Sequence, residues 1–214
     1  MAVGGAIRAE EPKVGRQFVC PEEMIPHLTK TLEGEYAVPW DAESPCLVLD
    51  VGANCGAFTV WAKLSWPKCE VDAYEPNPEM VKFLKSNISG LDGVTVHESA
   101  VGDPERDKLY LGKYNPGEGS QYYTELGQTE DTIEIEVTDP ESLLSYDIVK
   151  LDCEGAESYI LARLDLTQTK FVMYEYHSEH DRRFCDEVLS MSGFSLIYHH
   201  CTAVGFGVAK YQRL

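Results

Sequence analysis

The sequence predicts a doubly wound α/β domain, a mostly parallel, Rossmann-like sheet with helices on both faces. From Cys46 onward, short apolar runs alternate with amphipathic stretches, which is the rhythm of βα units. The apolar run 46–51 ends in a glycine-bearing bend, Gly52-Ala-Asn-Cys-Gly56, that leads straight into a helical pattern. A length of 214 residues allows one such domain with a buried core and is too short for two ordinary ones.

Residues 1–45 are mixed in character and broken by Pro12, Pro21, Pro26 and Pro39, with one helical candidate over 21–32. They read as an N-terminal cap on a domain of residues 46–214. The first unit is a strand over 46–51, the glycine bend and a helix over 57–65 that stops before Pro67. A strand over 70–74 leads through Pro76 and Pro78 into a helix over 79–88, and a third strand follows at 94–98. Between about 102 and 140 the helical rhythm disappears. Strands are expected there at 109–111 and 132–137, around a Gly/Ser/Tyr-rich loop at 115–123. This is a β insertion after the third strand, and insertions at the carboxyl edge of such sheets often supply a substrate pocket. The sheet resumes with a strand at 147–151, a helix at 156–164 and a strand at 170–175. A helix at 178–192 and strands at 194–199 and 205–211 complete it.

Composition narrows the function classes. With 43% hydrophobic and 25% charged residues the chain is an ordinary globular one. A formal charge of −18 repels polyanions, so nucleic acid is not an expected partner. The seven cysteines include no C-x-x-C pair, and neither a disulfide framework nor a zinc knuckle is expected. No apolar run reaches the roughly 18 residues of a membrane span, and the first ten residues lack a signal-peptide pattern. A cytoplasmic location without membrane attachment is the expectation.

Spacing suggests the ligand. A dinucleotide pyrophosphate favours G-x-G-x-x-G, whereas this bend is G-x-x-x-G with Asp50 two positions earlier. An acid at that strand end suits the cationic methionyl amino group of S-adenosylmethionine better than a phosphate, and N–H groups at the start of the following helix would face the ligand. Glu75 ends the second strand, where a carboxylate can accept both ribose hydroxyls. Ser99 and Ala100, after the third strand, would lie beside adenine. The cofactor set is therefore Asp50, Gly52, Ala53, Asn54, Gly56, Glu75, Pro76, Ser99, Ala100 and Asp152.

The fourth and fifth strands end in Lys150-Leu-Asp-Cys-Glu154 and Glu175-Tyr-His177, which open on the same crevice. Clustered carboxylates raise one another's proton affinity, and His177 titrates near neutrality by itself. Asp152, Glu154, Glu175 and His177 are the catalytic candidates. They could supply a base or hold a divalent metal that lowers a hydroxyl's pKa.

Four blocks in order, LDVGANCGAFT from Leu49, YEPNP from Tyr74, VKLDCEGAE from Val149 and YEYH from Tyr174, resemble the FkbM-type methyltransferases of the class I S-adenosylmethionine-dependent enzymes. The resemblance implies a seven-stranded sheet of order 3-2-1-4-5-7-6 with the last strand antiparallel. It also implies methyl transfer to a hydroxyl, often on a sugar or another small natural product. By position, Asp50, Gly52, Asn54 and Gly56 would hold the methionyl part and Glu75 the ribose. Asp152, Glu154, Glu175 and His177 would line the acceptor side, and Ser120 falls where the family often has serines in the inserted loop. Three rivals stand beside this reading: an NAD-dependent oxidoreductase, a non-catalytic adenosyl-ligand-binding protein, and transfer to a nucleic-acid base or protein side chain.

Overall fold

The computed structural model describes residues 7–10, 17–112, 119–122 and 128–214. Its elements begin with β1 (Ile7–Glu10), β2 (Gln17–Cys20), α1 (Ile25–Leu32), β3 (Cys46–Val51), α2 (Ala57–Ser65), β4 (Cys69–Tyr74) and α3 (Pro78–Asn87). β5 (Val94–His97), β6 (Ser99–Val101), β7 (Lys108–Gly112), β8 (Gly119–Ser120), β9 (Gln128–Glu134) and β10 (Glu136–Thr138) follow. The chain ends with β11 (Ile148–Leu151), α4 (Glu157–Leu161), β12 (Phe171–Tyr176), α5 (Glu179–Met191), β13 (Phe194–Ala203) and β14 (Phe206–Arg213).

Seven strands form one sheet in the spatial order β5-β4-β3-β11-β12-β14-β13. The strands from β5 to β12 pair in parallel, and β14 runs antiparallel to both of its neighbours. Counting only the strands of this sheet along the chain, the order is 3-2-1-4-5-7-6 with the last strand antiparallel, as the resemblance implied. Alternation along the central strands builds a core on each face. Leu49, Val51, Val149, Leu151, Val172 and Tyr174 pack towards α4 and α5, while Val48, Val71, Ala73, Ile148 and Met173 pack against Phe58 and Ala62 of α2 and Leu84 of α3. Both long crossover helices after β4 and β12 start on a side-chain cap. The Asn77 carboxamide oxygen accepts from the Glu79 N–H at 3.0 Å, and the Ser178 hydroxyl accepts from the Asp181 N–H at 3.0 Å.

Several expected elements differ. The strand expected at 132–137 is two strands that change partner at Ile135, whose N–H donates to Asp107: β9 lies antiparallel to β7, and β10 lies parallel to β6. The helix expected over 156–164 is only α4, because the chain then turns to bury Leu164 and Leu166. β13 runs four residues beyond the expected end, its exposed side chains carried by backbone pairing with β14. Of the loop at 115–123, residues 115–118 and Tyr123 lie outside the described residues, as does Pro12. No helix among the described residues is long and apolar enough to cross a membrane, and none of the seven cysteines is in a disulfide.

The N-terminal segment holds a β1–β2 hairpin that its polar sequence did not announce. Phe18, Cys20, Met24 and Leu32 are buried against Cys55, Ala57 and Val60, so this segment covers α2 and the bend before it. Asn87 is the polar tie: its amide group donates to Val19 O (2.9 Å) and Cys55 O (2.8 Å), and its oxygen accepts from Val19 N (2.9 Å). Asn87→Ala leaves these buried groups without partners, at about 1–3 kcal/mol each. The expected outcome is a lower Tm, with proteolytic cleavage of the N-terminal segment ahead of the sheet; a variant with unchanged Tm and cleavage rate would contradict the tie.

Candidate active site

A cavity of about 370 Å³ opens at the carboxyl ends of β3, β4, β11 and β12, where ligands bind in sheets of this topology. Two buried arrangements shape its floor. In the first, Lys150 and Asp50 are register partners on adjacent strands, and Lys150 Nζ stands 3.1 Å from Asp50 Oδ1. The same ammonium donates to the carbonyls of Gly52 (2.7 Å) and Val51 (3.3 Å) and lies 3.6 Å from Asp152 Oδ2. Burial works against its charge, but Asp50 and Asp152 outweigh burial and raise its pKa. Thr59 donates to Asp50 Oδ2 at 2.6 Å. Asp50 is thus fully buried behind Lys150 and does not line the cavity, so the expected direct contact between Asp50 and a ligand ammonium is corrected. The anion presented there is Asp152.

The second arrangement is the bend itself. Gly52 (φ +72°), Asn54 (φ +51°) and Gly56 (φ +89°) lie in the left-handed region. A Cβ on Gly52 would stand 1.8 Å from the Asp152 carbonyl oxygen, and one on Gly56 would stand 2.7 Å from Leu84 of α3. Gly56 therefore serves helix packing and does not line the cavity, whereas Gly52, Ala53 and Asn54 do. The N–H groups of Gly52 and Ala53 donate to Tyr74 O, that of Asn54 to Glu75 Oε2 (2.7 Å), and that of Gly56 to Ala53 O. The bend's own donors are spent inside the protein, and what they present is Glu75; Ala57 and Phe58, which open the helix whose N–H groups were expected to face a ligand, line the cavity.

Glu75 is 5% exposed, with its second oxygen accepting from Asn77 N–H at 2.8 Å. Burial pushes its carboxyl up to about 7 against the pull of these two donors and of Lys150. Each oxygen keeps lone-pair capacity, and Pro76, Ala100 and Val101 line the adjoining wall. Ser99 does not line the cavity; its hydroxyl bonds to that of Thr138.

At the other end, Asp152, Glu154, Glu175 and His177 all line the cavity. His177 Nε2 is 3.1 Å from Glu154 Oε2, and its Nδ1 is 3.8 Å from Glu157 Oε1. Glu157 is buried and accepts from the N–H groups of Cys153 (2.8 Å) and Gly155 (2.9 Å), which shapes the turn after β11. Burial lowers the proton affinity of His177, but Glu154, Glu157, Glu175 and Asp152 overcome it and push it up to about 9, so the ring is a cation at neutral pH. Burial and then the Asp152 charge push Glu175 up to about 9. Asp152 is held below the usual carboxylate range, since Lys150 and His177 outweigh its burial.

Sequence reasoning missed residues that complete this end. Tyr36, after α1, is buried and donates to Asp152 Oδ2 at 3.2 Å across a separation of 116 residues. Phe206, at the start of β14, stands edge-on to His177 with ring centroids 5.8 Å apart. No local pattern marks either residue. Ser120 of the insertion, which sequence position had suggested, donates to the carbonyl of Glu154 at 2.6 Å and so holds that residue in its left-handed conformation, φ +57°.

A family model described as the methyltransferase FkbM domain matches residues 50–201. The chain belongs to this family. Among curated relatives, Methyltransferase 1 of Beauveria bassiana is 26% identical over 145 residues, covering 55% of this chain and 58% of its own length. The release factor glutamine methyltransferase of Escherichia coli is 30% identical over 80 residues, 37% of this chain and 29% of that protein. The chain thus spans less than two thirds of either relative. Two crystal structures share the fold at low identity. The precorrin-6y C5,15-methyltransferase of Geobacter metallireducens has a TM-score of 0.54 at 13% identity, covering 92% of this chain and 94% of its own. TYW2 of P. horikoshii, in complex with MeSAdo, has a TM-score of 0.57 at 12% identity, covering 99% of this chain and 72% of its own.

The Asp50–Lys150 pair gives a stability prediction for this FkbM domain. Lys150→Met should lower unfolding free energy by about 3–5 kcal/mol, because Asp50 is left buried without its counter-ion. The double variant Asp50→Leu/Lys150→Met should recover most of that loss in denaturant titration; equal loss in both would show that the pair is not what matters.

Proposed function

We propose that this chain transfers the methyl group of S-adenosylmethionine to a hydroxyl oxygen of a small acceptor such as a sugar or another natural product. The observation that carries the reading is that one cavity joins Glu75, a buried carboxylate aimed by two backbone N–H groups, to the Asp152, Glu175 and His177 cluster. Glu75 would accept the ribose hydroxyls, Ala100 and Val101 would flank the adenine, and the Gly52–Asn54 bend would run beside the methionyl part. The bound cofactor supplies a methyl carbon already activated by a sulfonium. Asp152 stands at the junction of the cofactor and acceptor ends.

The chain's own task is alignment and proton removal. The new O–C bond forms as the S–C bond breaks with its electron pair going to sulfur, and the acceptor's proton leaves to the groups at the ends of β11 and β12. A hydroxyl requires such help, because its proton is too weakly acidic to leave unaided at neutral pH. A small acceptor also fits the charge: a chain of −18 repels a long polyanion, and the acceptor end carries Asp152, Glu154 and Glu175.

Calorimetry with S-adenosylhomocysteine tests the cofactor half. Binding should weaken as pH falls through about 7, because a protonated Glu75 loses acceptor capacity on one oxygen. The affinity at pH 6 should be about tenfold below that at pH 8, and Glu75→Gln should be weak and insensitive over this range. A pH-independent wild type would remove Glu75 from the ribose. Incubation with methyl-labelled cofactor and a panel of polyhydroxyl and amine acceptors tests the other half: NMR should find the label on oxygen, and label found only on nitrogen or carbon would overturn the hydroxyl assignment.

A further inference from the structure

We propose that Asp152, Glu175 and His177 form a binding site for one divalent transition cation, of the Mn²⁺ type, at the acceptor end of the cavity. One ligand atom from each of these residues lies within 4.8 Å of the others. Two carboxylates and an imidazole form a mixed oxygen and nitrogen set that suits such an ion better than magnesium, which prefers oxygen alone. The residues come from the ends of two adjacent parallel strands, so the backbone fixes their spacing.

Two further features point to a cation. The His177 Nδ1 atom is buried and has no hydrogen-bond partner, and behind it at 3.8 Å stands Glu157, buried and pinned by two backbone N–H groups. Glu157 is placed to orient the ring, as outer carboxylates orient metal-binding histidines; Nε2, 3.1 Å from the cavity-lining Glu154, exchanges that ion pair and its proton for the cation when one binds. Charge also calls for it. A carboxylate oxygen of Asp152 and one of Glu175 lie within 4.8 Å of each other, and a cation between two such groups offsets their repulsion. Lys150 reaches Asp152 at 3.6 Å but stands nearer to Asp50, at 3.1 Å, and donates to the Gly52 carbonyl.

Three protein ligands leave coordination positions open towards the cavity. The role of the ion rests on the methyl-transfer reading: the acceptor oxygen would bind it, and the acceptor's proton would pass to Glu154 as the oxygen attacks the methyl carbon. The existence of the site does not rest on that reading.

The test uses the full chain stripped with EDTA, and electron paramagnetic resonance of added Mn²⁺ to count bound ion. Wild type should bind one equivalent. Glu175→Gln and His177→Gln should each weaken binding tenfold or more, and Glu157→Gln should weaken it about 10-fold through ring orientation. Circular dichroism melts identify any variant that fails to fold, and Asp152→Asn then takes its place. Glu75→Gln should lose S-adenosylhomocysteine yet keep Mn²⁺. Wild type that binds no Mn²⁺, or binds it no more tightly than folded Glu175→Gln, overturns the site even if S-adenosylhomocysteine binds. Mn²⁺ bound without affinity for S-adenosylhomocysteine would instead leave the site standing and sink the methyl-transfer reading.

Discussion

The buried contact between Lys150 and Asp50 is the constraint around which the site is organised. It crosses from β11 to β3 at their carboxyl ends, with side chains 3% and 0% exposed. Two charges so deep in the protein are stable only together and only when their remaining hydrogen-bonding capacity is met. The Gly52 carbonyl accepts from the ammonium and the Thr59 hydroxyl donates to Asp50 Oδ2, while Asp50 Oδ1 has only the charge of Lys150 at 3.1 Å. The same ammonium reaches Asp152 and so joins the glycine bend to the turn after β11. One cation thereby aligns two backbone turns that must sit within contact distance, which is also why residue 52 has no room for a side chain.

From this floor the cavity is walled by parts of the chain that are remote in sequence. The N-terminal segment brings Tyr36 to Asp152, the insertion brings Ser120 to the Glu154 carbonyl, and the last hairpin brings Phe206 against His177. Each addition acts on a residue at the end of β11 or β12. The sheet supplies position, and the appended segments supply contacts that hold these residues in place. In this arrangement the cavity can change its walls near His177 without disturbing the strand ends that carry the polar groups.

The electrostatics of the site work against the stability of the fold. Glu75 and Glu175 are buried acids held above their ordinary pKa values, so ionising them costs free energy that the folded chain must find in its core. The slope of stability with pH has a definite sign. Between the ordinary carboxylate range and about 7, the native state holds the Glu75 proton that the unfolded chain has released, so this group makes stability fall as pH rises. His177, raised to about 9, acts in the same sense over a higher window: its contribution is fully present below the ordinary histidine range and is lost as pH rises through about 9, so stability again falls with rising pH. A site that gathers acids and one imidazole around a single cavity thus trades stability for groups able to exchange protons or hold a cation.

Much of this could be read from the chain alone. The apolar run 46–51 and its glycine bend, the strand ending in Glu75 and the two late strand ends are local patterns with local causes, and the strands and helices around them stand within a few residues of their expected places. Hydrophobic period and turn chemistry suffice for these, because each depends on neighbours in sequence. Direction and partnership were decided elsewhere. Asp50 turns inward to Lys150, its counter-ion on the adjoining strand, and the bend's N–H groups turn to Tyr74 and Glu75 because those acceptors lie at the end of the next strand. Tyr36, Phe206 and the split of β9 from β10 carry no sequence signal, since each is set by contacts between residues far apart in the chain. The sequence by itself determined which residues could do chemistry and in what order the sheet would receive them. Which of them face the cavity was decided by tertiary structure alone, because only packing brings a buried charge to its partner.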